Sequence, residues 1–126
     1  KMVTPTPARD ASVIVYTPTG HMAVIYLPPP GRKTFAGPTP TAEEARAAMQ
    51  GMVTYFGTYV VQPKSSSVFH YQLAIPNPAQ TGSTLQRNFT VKGSELLLQF
   101  PPTPQNGQLV RNTIHLTRLS GLADMR

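Results

Sequence analysis

Residues 67–75 (SVFHYQLAI) and 83–91 (STLQRNFTV) decide the fold, because each alternates with a period of two and Pro76-Asn77-Pro78 through Gly82 separates them with turn chemistry. They read as two neighbouring antiparallel strands. On the first, Phe69, Tyr71, Leu73 and Ile75 share one face, expected to be the interior, while Val68, His70, Gln72 and Ala74 share the other. On the second, Leu85, Arg87, Phe89 and Val91 fall together, which places Arg87 on an apolar face.

The same period continues downstream over 95–100 (ELLLQF) and 108–118 (QLVRNTIHLTR), with Lys92-Gly93-Ser94 and Pro101 to Gly107 as turn or loop. Upstream, 58–62 (TYVVQ) is a further strand. Ser12 to Thr17 and His21 to Leu27 flank Pro18-Thr19-Gly20, where Pro presets one turn dihedral and Gly supplies the positive one, so a hairpin is expected. Residues 1–11 read as an extended leading segment. Residues 28–40 (PPPGRKTFAGPTP) hold five Pro and two Gly and read as a long surface loop. Between loop and strands lies one helix. Thr41 and Glu44 form a capping box, Ala45, Ala48, Met49, Met52, Val53 and Phe56 follow at helical spacing, and Gly57 is placed to end it.

Strands in hairpin succession with one short helix predict a mainly all-β chain. The expected architecture is an antiparallel β-barrel or half-barrel of about seven to eight strands, with the helix covering one end. At 126 residues the chain is expected to form a single domain, 1–126. With no Cys, disulfides, thiolate metal sites and a cysteine nucleophile are excluded. No stretch approaches the roughly 18 apolar residues of a membrane span, and Lys1-Met2-Val3-Thr4-Pro5 does not read as a signal peptide, so a soluble, cytoplasmic chain without a membrane partner is expected. Lys1 in place of a starting Met predicts a trimmed or processed product. The formal charge is +6, yet the basic residues are dispersed and only Arg32-Lys33 are adjacent, so no nucleic-acid partner is expected.

Ordered motifs over residues 12–119 carry a resemblance. Tyr16-Thr17-Pro18-Thr19-Gly20-His21-Met22, Thr39-Pro40 through Glu43-Glu44-Ala45, Tyr55-Phe56-Gly57-Thr58-Tyr59, Asn77-Pro78, Gly82, Arg87 with Phe89, and Pro101-Pro102-Thr103-Pro104 resemble marks of the small bacterial and fungal lipocalin-like domain family. The chain departs from that pattern twice. It lacks the family's opening Gly-Thr-Trp strand, which would leave two open barrel edges inviting another copy or another segment to pair, and Tyr71 stands where a second His is common. The resemblance implies a lipocalin-like barrel from secondary-metabolite chemistry. It would act as a cofactor-independent cyclase or isomerase on a hydrophobic polyketide or terpenoid intermediate, or as a non-catalytic small-molecule carrier.

The three His at 21, 70 and 115 are dispersed and acids are few, so no metal is expected. No GxSxG, GxGxxG or GxxxxGK[ST] occurs, which removes support for a serine hydrolase triad or a nucleotide cofactor. The expected catalytic set is Arg87, Tyr71 and His70, acting by positioning and by stabilising a developing oxyanion. The expected ligand-binding set is Tyr26, Met52, Tyr55 and Tyr59, together with Phe69, Leu73, Phe89 and Asn112. Arg87 has a plainer reading as a rim residue snorkelling to water, and each Tyr one as core packing with its hydroxyl at the edge.

Overall fold

Thr17 to Gly20 turn the chain as their composition demands. The Thr17 N–H donates to the His21 carbonyl at 2.9 Å and the Gly20 N–H to the Thr17 carbonyl at 3.1 Å, with Gly20 at φ 84°. The computed structural model describes residues 2–3, 12–26, 31–50 and 52–119. Its elements in chain order are β1 (Met2–Val3), β2 (Val13–Tyr16), β3 (His21–Tyr26), α1 (Ala42–Gln50), β4 (Val53–Gln62), β5 (Ser67–Ala74), β6 (Thr84–Lys92), β7 (Glu95–Gln99), β8 (Thr103–Gln105), β9 (Gln108–Val110) and β10 (Thr113–Thr117). Seven strands hydrogen-bond in the order β10-β7-β6-β5-β4-β3-β2, and three form a small sheet β1-β9-β8. The described residues are mainly β-strand with one α-helix, and the large sheet is antiparallel. Among the described residues no helix is long and apolar enough to cross a membrane.

The chain divides into two units. The first comprises Lys1–Pro7, Val60–His70 and Leu85–Arg126; the second comprises Ala8–Tyr59 and Tyr71–Thr84. In the second, β3 pairs with β4 so that Met22 faces Gly57 and Val24 faces Tyr55, and these four are buried. Gly57 is required here. A Cβ at this position would overlap the Tyr71 carbonyl oxygen and lie 3.2 Å from the Leu73 nitrogen, so only Gly lets the two backbones approach. Helix α1 starts as its capping box dictates: the Thr41 hydroxyl accepts the Glu44 N–H at 3.2 Å and the Glu44 carboxylate accepts the Thr41 N–H at 2.9 Å. Glu44 also accepts the Ala36 N–H at 3.0 Å and the Arg32 guanidinium donates to the Ala48 carbonyl, which ties the preceding loop to the helix. No residue of α1 is buried.

In the first unit, β7 lies between β6 and β10, with Asn88 opposite Gln99 opposite Thr113, and Phe89 opposite Leu98 opposite Ile114. Val68 and Leu98 are its buried apolar side chains, accompanied by buried Ser67, His70 and Thr113.

Several expectations need correction. The helix stops at Gln50, and Val53 and Phe56 belong to β4, with Gly57 inside that strand rather than at a helix end. The β-branched and aromatic run Val53-Thr54-Tyr55-Phe56 pairs with β3, and this pairing overrides the helical spacing. Residues 101–107 are not all loop, since Thr103–Gln105 pairs with Gln108–Val110 around Asn106-Gly107, and residues 108–118 break into two strands. The burial of β5 is the reverse of that expected: Val68, His70 and Gln72 are buried, while Tyr71 and Leu73 are 44% and 45% exposed. Both faces of this strand carry bulky side chains, so alternation fixes the parity but not the side that is covered. The extended segment over 4–11, the strand end at Leu27 and the loop start at 28–30 lie outside the described residues.

Candidate functional site

The first unit gathers a line of polar groups on an otherwise apolar sheet face. Since Asn88 pairs with Gln99 and Gln99 with Thr113, the preceding row sets Arg87 opposite Phe100 and Phe100 opposite Asn112. A hydrogen bond from the Phe100 N–H to the Asn112 carbonyl at 2.9 Å confirms the alignment. The Arg87 guanidinium lies 3.7 Å from the centroid of the Phe100 ring, and its Nη1 donates to the Gln86 carbonyl at 2.9 Å. The stacked ring holds the cation where water alone would otherwise solvate it.

His70 shares this face, across β5–β6 from Leu85 and so diagonal to Arg87. The side chains of Gln86 and Asn88 both reach Ser67 Oγ, so Ser67 shares their face of the sheet, and alternation along β5 puts Val68 and His70 on the face of Arg87. His70 is 1% exposed. Burial, reinforced by the Arg87 charge, lowers its pKa to about 4, so the imidazole is neutral at pH 7. This face therefore presents one fixed positive charge, a neutral imidazole and an amide, set among Val68, Phe89 and Leu98.

Of the expected residues, the structure brings Arg87, His70, Phe89 and Asn112 onto this face, with Asn112 exposed and Arg87 and Phe89 half-buried. Phe69 falls on the opposite face of β5 by the same alternation. Tyr71, Leu73, Tyr26, Met52, Tyr55 and Tyr59 belong to the second unit. There the Tyr59 hydroxyl donates to the Thr17 carbonyl at 2.7 Å and its ring meets Tyr16 edge-on at 4.8 Å, which braces the hairpin turn. Tyr55 is buried and lines an open cleft of about 420 Å³ walled by Val24, Ile25, Phe56, Ala74, Ile75 and Pro76. Tyr26 is half-buried at the end of β3, and Met52, expected in the helix, is half-buried between α1 and β4. Sequence reasoning missed Phe100. Its signal was the register itself, since the residue across from an arginine on an apolar face is its natural support.

A model of the lipocalin-like domain matches residues 4–118. The chain belongs to that family. A lipocalin-like domain has a β-barrel fold of the kind that binds small molecules, and the strand order seen here agrees with it. No curated protein and no solved structure matches this lipocalin-like chain.

Proposed function

We propose that this lipocalin-like domain binds a hydrophobic small molecule through its oxygen, on the face that carries Arg87. The observation behind the reading is the guanidinium stacked on Phe100 and aligned with Asn112, on a face whose other members are Val68, Phe89 and Leu98. An apolar surface with a few oriented donors suits a mostly hydrophobic ligand fixed by one polar end. The rigid guanidinium fork favours an oxygen acceptor. The test is a titration with a naphthyl carboxylate and its methyl ester: saturable binding that is lost on Arg87→Met supports the reading, and binding indifferent to that change defeats it.

A catalytic version draws on the same face. Arg87 would stabilise an enolate oxygen as a polyketide or terpenoid intermediate cyclises or isomerises without a cofactor. His70, buried and neutral, would act behind Arg87 as a positioning group, since a pKa of about 4 makes it a weak base at neutral pH. The burial of His70 on the face of Arg87 is the observation that favours this version, because a buried imidazole resists protonation and adds no second charge beside the arginine. Turnover of a reactive polyketide, compared with its spontaneous rate, decides between catalyst and carrier.

A further inference from the structure

The opposite face of the same strands holds a second arginine in a different setting. Asn88, Gln99 and Thr113 form a row across β6, β7 and β10, and the amide of Asn88 donates to Ser67 Oγ at 3.4 Å, which extends the row onto β5. Ser67 and Thr113 are buried, while Asn88 and Gln99 are half-buried. Arg111, two residues before Thr113, reaches into this row, and its Nη1 donates to Gln99 Oε1 at 3.4 Å. That bond commits one side of the guanidinium. Nε, which shares the other edge with Nη2, is buried with no hydrogen-bond partner among the described residues.

A buried N–H that makes no bond forfeits its hydration with nothing in return, and the loss is larger when the donor belongs to a charged group. The Nε–Nη2 edge presents two parallel N–H groups at the spacing of two oxygens on one carboxylate or phosphate. Every other side chain of the row is an uncharged amide or hydroxyl, so the local charge is the guanidinium's own. We propose that the Nε–Nη2 edge of Arg111, beside Gln99 and Thr113, is a binding site for an oxyanion that offers two oxygens, on the sheet face opposite Arg87.

The site is tested by following the Arg111 Nε–H resonance in a ¹⁵N-labelled chain during titration with acetate, inorganic phosphate or chloride at constant ionic strength. A saturable downfield shift with acetate or phosphate, absent with chloride, supports the proposal, and the anion that acts identifies the source of the oxygens. Arg111→Lys keeps the charge and removes the paired donors, so it should weaken binding about tenfold or more. Thermal unfolding of this variant confirms that it remains folded, and Gln99→Glu, which places a competing carboxylate beside the guanidinium, provides a second reading by abolishing the shift. Equal shifts with all three anions, no saturable shift, or full affinity in Arg111→Lys would overturn it.

Discussion

The guanidinium of Arg87 stands 3.7 Å above the ring of Phe100, one strand away and directly across the β6–β7 ladder. This contact explains how a cation sits on an apolar sheet face. The ring's negative quadrupole replaces part of the lost hydration, worth on the order of 1 kcal/mol for a partly buried pair. It also fixes the plane of the fork and so the direction of its donors.

Replacing Arg87 by Met keeps the aliphatic stem and removes the charge. Folding should survive with stability within about 1 kcal/mol of the parent, while affinity for a naphthyl carboxylate should fall about tenfold or more, or roughly 1.4 kcal/mol. Calorimetric titration and a thermal melt measure the two quantities separately.

His70 gives the fold a pH dependence with a definite sign. Its pKa is lowered from 6.5 to about 4, so between these values the unfolded chain binds more protons than the folded one. Stability is therefore complete above pH 6.5 and declines as the pH falls toward 4, by roughly 3 kcal/mol at most. Denaturant midpoints measured across that window should show this slope, and His70→Gln should flatten it. An unchanged slope in the variant would place the linkage at another residue.

Gly57→Ala tests the close approach of β4 to Tyr71. The added methyl meets backbone, which has no rotamer to yield, so a loss of roughly 3 kcal/mol is expected. Urea unfolding reads it directly, and a variant as stable as the parent would mean that the two backbones separate at little cost.

Thr41→Ala removes the hydroxyl that accepts the Glu44 N–H and should cost about 1 kcal/mol. The Thr41 and Ala36 backbone N–H groups hold the Glu44 pKa below its ordinary 4.5. Its carboxylate therefore stabilises the helix start above that pH, and the contribution is lost as the pH falls through the lowered value. Carbon-detected NMR titration of Glu44 in the parent and in Thr41→Ala should show the pKa rising in the variant.

The sequence by itself determined the elements whose signals are local. Pro18-Thr19-Gly20 set the first hairpin, Thr41 and Glu44 set the helix start, and Leu85, Phe89 and Val91 placed Arg87 on an apolar face, because turn dihedrals, caps and strand alternation depend on residues a few positions apart. Only the tertiary structure decided the rest. It drew Val53 to Phe56 out of the helix and into β4, because pairing with β3 outweighs a weak helical preference. It chose which face of β5 to cover, burying His70 and exposing Tyr71, a choice that alternation leaves open. It also set Phe100 and Asn112 in line with Arg87 although 13 and 25 positions separate them in the chain, because strand register is fixed by the ladder as a whole and not by any residue in it.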